Sequence, residues 1–448
     1  MTKYNFPRIL VFGPPFNSHS GGGITLTNLF KGWPKDRIAV ISNGHVLQNI
    51  TTDVCDTFYR LGKEEKKWRF PFNLLQRPFP SGLITFTMQE TLMQVPSKKN
   101  TRQIVVDNLF FPFLNWLGFF HCLSKIYLSQ QLKAWLSEYN PEILYIQVSD
   151  RETILFAIEL IEYLKIPSAI HMMDDWPSTI SSKGPFQYHW KFKIDRELKL
   201  LLSMVDIHLS ISEAMSSEYS RRYNKQFIAF HNPIETEAWR PYCKNNFKLD
   251  QDHVKILYSG RTGIGITESL VEVADVIDSI NETRLKIKLH IQSPIISYEF
   301  IKSLRKNKCV VINPVAEYSE LPVIFSQADI LLIANDFTKE GSSFLKYSMP
   351  TKVSEYMISG TPVLVYSPVE TAVSGFFTDN ECGCCVTEQD PERLHNAIRL
   401  LIANEDYRKK LSHNAVRLAT ELFDSKKVRT IFQELLINLP LIKTEDYN

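Results

Sequence analysis

Strand-length apolar runs alternate with helix-length segments along this chain, and the alternation occurs twice. The first series reads RILVFG, a glycine loop, RIAVIS, then EILYIQVS, a helical stretch near residues 151–164, and SAIHMM. The second reads KILYSG, a helix from about Glu268 to Ile280, KIKLHI, CVVINP, a short helix, DILLIA and PVLVY. Such alternation predicts parallel βαβ units. At 448 residues the chain exceeds one ordinary core, so two doubly wound domains are the simplest reading. The break falls in FIAFHNPIETEAWRPYCKNN, where His231-Asn232-Pro233 ends a strand and a polar, proline-bearing segment begins. Residues 1–235 then form a first domain and 236–425 a second. From Asp390 onward apolar residues recur at three-to-four spacing, and the last helix, 426–448, is expected to return to the first domain.

Hydrophobic residues at 44% and charged residues at 22% are values of a chain that folds rather than one that stays disordered. Its 51 basic and 49 acidic residues leave a net charge of +2, without the basic footprint of a nucleic-acid binder. Any attraction to anions must therefore be local. The seven cysteines are odd in number and scattered, with no secretory signal ahead of them, which fits a reducing, cytoplasmic compartment. The run ECGCCV lacks a second ligand pair at finger-like spacing, so no metal site is expected there. MTKYNFPRILVFGPP reads as a first strand, its apolar run being too short for a signal peptide.

The most apolar stretch is IVVDNLFFPFLNWLGFFHCL, residues 104–123. Asp107, Asn108, Pro112, Asn115 and His121 interrupt it, leaving no uncharged run of about eighteen residues to span a bilayer. It reads first as a buried helix and second as an aromatic-rich element at a membrane surface. Nearby KEEKKWRFPF sets Lys63, Lys66, Lys67 and Arg69 beside Trp68 and Phe70, a mix suited to an anionic interface although Glu64 and Glu65 dilute it. On that second reading the protein is peripheral on the inner face of the plasma membrane.

Four segments carry candidate chemistry. After the first strand, Gly21, Gly22 and Gly23 precede a helix, where close backbone approach and free N–H groups suit an anion. The spacing is not that of a dinucleotide fingerprint. HMMDDWPS, at the end of an apolar strand, places His171, Asp174, Asp175 and Trp176 where doubly wound sheets bind ligands; the carboxylates suit acceptor binding or loop capping before Pro177. In YSGRTGIG, Arg261 comes just after a strand end, and its planar fork matches phosphate oxygens. Finally, Ser348, Met349, Pro350 and Thr351 lead into a helix carrying Lys352 and Glu355, three apart and therefore on one face. One can meet phosphate while the other accepts from ribose hydroxyls; the alternative is a surface ion pair.

As a set these residues resemble the retaining GT-B glycosyltransferases of family 4 and their close relatives. The likeness runs over nearly the whole chain: SGGG, the strand-end histidine of HMMDDW, LSISEAMSSEY, HNPIETEAW, YSGR and PTKVSEYMISGTPVLVY. In that family the last glutamate of an E-x7-E motif holds the donor ribose, and Glu355 falls on it. Tyr347 stands where the first glutamate would be, so the chain is closer to the subset whose signature reads P-x-K-x-x-E-Y. Ile266 occupies the place of the usual lysine five residues beyond the phosphate-binding arginine.

The resemblance implies an α/β GT-B fold, two Rossmann-like domains facing a central cleft, and a hexosyltransferase-like activity. A sugar would pass from a nucleotide-diphosphate sugar to a saccharide or lipid-linked acceptor, with retained configuration, in polysaccharide or glycan biosynthesis. No metal or other cofactor would be required. Gly22, Gly23 and the 348–355 segment would bind the donor, with Arg261, Lys352 and backbone amides near Ser348 to Pro350 stabilising leaving-group charge. His171 would bind the donor sugar from the opposite domain. Asp174, Asp175 and Trp176 would receive the acceptor, and domain closure would exclude water. Two other readings stand beside this one. A nucleotide-sugar epimerase or hydrolase on the same architecture calls for more acid/base groups in the cleft. A non-catalytic GT-B binding protein is suggested by the missing glutamate and opposed by Arg261, Lys352 and Glu355.

Overall fold

The apolar runs become strands. In the computed structural model the first ten are β1 (Ile9–Phe12), β2 (Ile38–Asn43), β3 (Phe58–Leu61), β4 (Lys66–Trp68), β5 (Gly82–Ile84), β6 (Ser124–Ile126), β7 (Ile143–Ile146), β8 (Ser168–Met172), β9 (Ile207–Ser210) and β10 (Phe227–Ala229). The structure describes all residues except 1–5, 18–20, 44–49, 71, 77–78, 85–109, 181–183, 251–252, 283–285, 295 and 446–448. Eight strands form one sheet in the order β10-β9-β8-β7-β1-β2-β3-β5, parallel except for the β3–β5 pair. Strands β4 and β6 stand apart as an antiparallel ribbon. Every residue of β1 and β7 is buried, as expected of strands in a parallel sheet covered on both faces.

The second sheet comprises β11 (Val254–Ser259), β12 (Ile287–Gln292), β13 (Val310–Asn313), β14 (Ile330–Ala334), β15 (Val363–Tyr366) and β16 (Cys384–Val386). Its order is β13-β12-β11-β14-β15-β16 and every pairing is parallel. One face packs on Leu270, Val273 and Ile277 of helix Thr267–Asn281, the other on Tyr356 and Met357 with Leu418 and Phe423. Cys382 and Cys384 belong to this unit's core, where burial pushes their thiols up to about 12 and about 11.

Residues 1–230 with 429–448 make one compact unit, and 231–428 the other. The segment after β10 is tied into the second unit. The Ile234 amide donates to the Phe423 carbonyl, the Ser425 amide to the Ile234 carbonyl, and the Ser425 hydroxyl to Glu235. Helix Ser425–Glu445 ends in the first unit, where Gln433 donates to the Leu29 carbonyl and Phe432 meets Phe30, Tyr145 and Phe230 edge-on.

The 104–123 stretch departs from the expected buried helix. Residues 104–109 lie outside the described part; beyond them stand two short helices, Phe111–Trp116 and Phe120–Leu123, separated by a turn. Leu114 and Leu123 are buried, but Phe113, Trp116, Phe119 and Phe120 are each about half exposed. Two helices of six and four residues cannot turn one continuous apolar face inward.

Candidate functional site

In each sheet the strand order reverses once, and ligands of doubly wound sheets bind beyond the carboxyl ends of strands at that reversal. In the second unit the reversal lies between β11 and β14. Three of the expected residues meet there. Strand β11 runs out through Ser259 and Gly260 to Arg261, whose guanidinium lies 5.4 Å from the Phe344 ring centroid and donates to the Ile264 carbonyl at 3.1 Å. Helix Lys352–Ile358 brings Lys352 back to the same strand end, its Nζ 4.1 Å from the centroid of the Tyr258 ring. Gly260 sits beneath it at φ +148°, a conformation that side chains other than hydrogen rarely adopt, and a Cβ there would come within 3.4 Å of Nζ.

Lys352 and Glu355 do share a face, but they are not a surface ion pair. Glu355 is buried, and no carboxylate lies within ion-pair distance of Lys352 among the described residues. Burial pushes the Lys352 ammonium down to about 7; the Arg261 charge adds to the shift and Glu355 opposes it. Burial likewise pushes the Glu355 carboxyl up to about 7, against a hydrogen bond from Tyr318 and the charge of Lys352. The chain thus holds two cations close together at one strand end, with one of them desolvated.

The 348–351 segment is less open than the sequence suggests. The Ser348 amide donates to the Leu345 carbonyl, the Met349 carbonyl accepts from Asn232 at 3.0 Å, and the Met349 side chain lies in the core. Pro350 has no N–H. Of the amides expected around leaving-group charge, from Ser348 to Pro350, that of Met349 remains among the described residues. Ile266, at the place of the usual lysine, belongs to the hydrophobic core.

In the first unit the reversal lies between β7 and β1. The glycines do not precede the helix after β1; they are its first turn, in Gly21–Phe30. Gly23 faces inward, where a Cβ would strike the Asn17 side chain, whereas Gly22 faces open space. His171, in β8, is 1% exposed, and its Nδ1 lies 2.6 Å from the Tyr145 hydroxyl. Gln147 donates to that same hydroxyl at 3.3 Å, which leaves the tyrosine proton free to donate to Nδ1; with that bond the imidazole carries its proton on Nε2. Burial lowers the ring to about 4, with the Ser210 main chain offsetting part of the shift, so it is neutral. Nε2 makes no hydrogen bond of 3.5 Å or less among the described residues, and the main-chain contact of the ring with Ser210 is weaker than that.

Asp174 and Asp175 part company. Asp174 is exposed just beyond β8. Asp175 is buried, and its carboxylate accepts from Tyr219 at 2.8 Å, Ser178 at 2.6 Å and Arg222 at 2.9 Å. This arrangement replaces the expected acceptor contact of Asp175 with an internal one, and it makes no cap on the short helix Trp176–Thr179. Trp176 Nε1, in that helix, is buried without a partner among the described residues.

Sequence reasoning missed the tyrosines. Tyr356 accepts from the Ser259 amide at 2.8 Å and donates to the Ser259 carbonyl at 3.2 Å, locking helix Lys352–Ile358 to the end of β11. The Tyr258 hydroxyl donates to the Arg261 carbonyl. Only Tyr356 had a signal, the final letter of P-x-K-x-x-E-Y.

Residues 297–417, which contain Lys352 and Glu355, match the family model described as Glycosyl transferases group 1. No curated protein matches the sequence significantly. Among solved structures, the sucrose-phosphate synthase of Thermosynechococcus elongatus is similar over 95% of this chain and 97% of that one, with a TM-score of 0.58 at 14% identity. HepE of Anabaena, in complex with UDP and glucose, aligns over 96% and 99%, with a TM-score of 0.58 at 12% identity. WaaG, a glycosyltransferase involved in lipopolysaccharide biosynthesis, aligns over 95% and 99%, with a TM-score of 0.54 at 12% identity. The fold is GT-B, built on two Rossmann-like sheets.

Proposed function

We propose that this chain is a glycosyltransferase that moves a sugar from a nucleoside diphosphate sugar to a saccharide or lipid-linked acceptor, with retained configuration. The observation that carries the reading is the desolvated Lys352 beside Arg261 at the end of β11. Two neighbouring cations, one of them partly buried, are unfavourable until an anion joins them. A diphosphate fits, because the arginine fork takes paired oxygens and the lysine acts as a point charge. Glu355, a turn away on the same helix, is the residue we assign to the ribose hydroxyls. The group 1 family match over this segment and the UDP and glucose bound to HepE support the same assignment.

The two cations take up the charge that develops on the leaving diphosphate, an electrostatic role that we assign to them without a metal. In the first unit, we assign His171 Nε2 as a donor to a sugar hydroxyl and Asp174 as the carboxylate that receives the acceptor. Gly22 offers its open side to the donor.

A panel of nucleoside diphosphates tests the donor site: one base should raise the melting temperature, since a ligand of the folded state stabilises it. No shift with any member would overturn the assignment. Release of nucleotide only when a lipid-linked saccharide is added marks a transferase; release without acceptor marks a hydrolase. The anomeric proton of the product, read by NMR, reports retention or inversion.

A further inference from the structure

The first unit carries a surface that nucleotide and sugar chemistry leave unused. Phe113, Trp116, Phe119 and Phe120 show about half their area on two short helices. Phe70 is 82% exposed just past β4. On helix Gln187–Met204, Tyr188 at 80% and Phe192 at 71% stand four apart and so share a face. Single exposed apolar residues need no explanation, but a contiguous set does.

The elements that carry these aromatics adjoin one another. The Arg69 amide donates to the Leu123 carbonyl, joining the ribbon to helix Phe120–Leu123. Gly118 lies so near the Trp190 ring that a Cβ would meet it at 2.4 Å, and the His121 ring sits 5.2 Å from Trp190, joining the short helices to helix Gln187–Met204. Gly184, two residues before Phe186, abuts the Trp116 carbonyl.

The carboxylates of this surface are paired, Glu64 with Lys63 at 3.9 Å among them, so its unpaired charge is basic. Glu152 is held by Lys66 at 2.9 Å, Glu197 by Arg151 at 2.7 Å and Asp195 by Lys199 at 2.7 Å. Lys67, Arg69, Lys125, Lys191, Lys193 and Arg196 have no carboxylate at ion-pair distance among the described residues. Lys67 and Lys125 are also directly opposed across the β4–β6 ribbon, an arrangement that is unfavourable unless an anion lies against it.

We propose that this aromatic and basic face, formed by the β4–β6 ribbon, helices Phe111–Trp116 and Phe120–Leu123 and the start of helix Gln187–Met204, docks on an anionic lipid surface. Rings enter the interface while lysine and arginine meet headgroup phosphates. A face on which cations go unpaired matches such a surface better than a second copy, which would set the same cations against each other.

Co-sedimentation of the full chain with phosphatidylcholine vesicles, with and without phosphatidylglycerol, tests this. Binding is expected only with phosphatidylglycerol, and it should weaken as the Debye length falls from about 10 Å at 0.1 M salt to about 3 Å at 1 M. Lys67→Ala/Arg69→Ala/Lys125→Ala and Tyr188→Ser/Phe192→Ser should each lower binding about tenfold or more, with circular dichroism and melting temperature unchanged. Absence of binding to phosphatidylglycerol vesicles overturns the proposal, as does full binding by both variants. Self-association in the absence of vesicles that either variant abolishes overturns it in favour of a second copy.

Discussion

The Lys352 ammonium lies 4.1 Å from the centroid of the Tyr258 ring, near the end of the strand that leads to Arg261. A cation–π contact of about 1–2 kcal/mol at a desolvated site offsets only part of the cost of burying the ammonium. Lys352→Ala should therefore weaken nucleoside diphosphate binding by about tenfold to a hundredfold, the worth of a charged hydrogen bond, while holding or raising the melting temperature of the ligand-free chain. Glu355→Ala should weaken binding through the ribose with the fold intact. Calorimetric titration and thermal melting read the two effects separately; unchanged affinity in both variants would remove the pair from the site.

Gly260 supports that lysine. Its φ of +148° makes Gly260→Ala strained, and the added Cβ would stand in van der Waals contact with Lys352 Nζ at 3.4 Å. The variant should melt lower and bind nucleotide more weakly than the parent. Because the loss acts through Lys352, Gly260→Ala should cost far less affinity in the Lys352→Ala background, a coupling that a double-mutant cycle measures.

The pair also fixes a pH dependence. Lys352 stands at about 7 against an ordinary 10.5, so between those values the folded chain holds fewer protons there than the unfolded chain, and its contribution to stability rises with pH. Glu355 stands at about 7 against 4.5, so across that window the folded chain holds more protons and its contribution falls as pH rises. Subtracting the melting temperature of Lys352→Met from that of the parent should reveal the rising limb above neutrality. A bound diphosphate favours the ammonium, so affinity should weaken above pH 7 and binding there should take up a proton. Calorimetry in buffers of different ionisation enthalpy detects it.

The two sheets and the Lys352–Glu355 face were legible in the sequence because both depend on local spacing: buried parallel strands are continuous apolar runs, and residues three apart on a helix share a side. What sets their environment was not legible. Tyr356 reaches Ser259 across 97 residues and Arg222 reaches Asp175 across 47, and nothing near either residue in sequence pairs it with the other. The aromatic stretch shows the same gap. Composition makes 104–123 apolar, but the break into two short helices decides that Phe113 and Trp116 face outward.

Asp174 and Asp175 should separate cleanly. Removing Arg222 from the buried Asp175 leaves a carboxylate without its main counter-charge, so Arg222→Leu should destabilise by about 3 kcal/mol. Asp174→Ala, at an exposed position, should leave the melting temperature within a degree or so while raising the KM for acceptor. A loss of stability from Asp174→Ala, or none from Arg222→Leu, would reverse the assignment.

The hydrogen-bond chain behind His171 makes a sharper prediction. Gln147 donates to the Tyr145 hydroxyl, whose proton is then free for Nδ1; we assign the ring's own proton to Nε2, which makes no hydrogen bond of 3.5 Å or less among the described residues. Burial holds the tyrosine well above its ordinary value, so its hydroxyl stays protonated across the working range. Tyr145→Phe removes the donor to Nδ1 and frees the ring to move its proton there, which would leave Nε2 an acceptor. Transfer should then slow with little change in nucleotide binding, and His171→Ala should be no slower in the Tyr145→Phe background than alone. Nitrogen chemical shifts of the His171 ring check the cause directly: the parent should show the Nε2–H tautomer and no titration down to about pH 5, where a ring lowered to about 4 remains neutral. An Nδ1–H tautomer in the parent would remove His171 as a donor to the sugar.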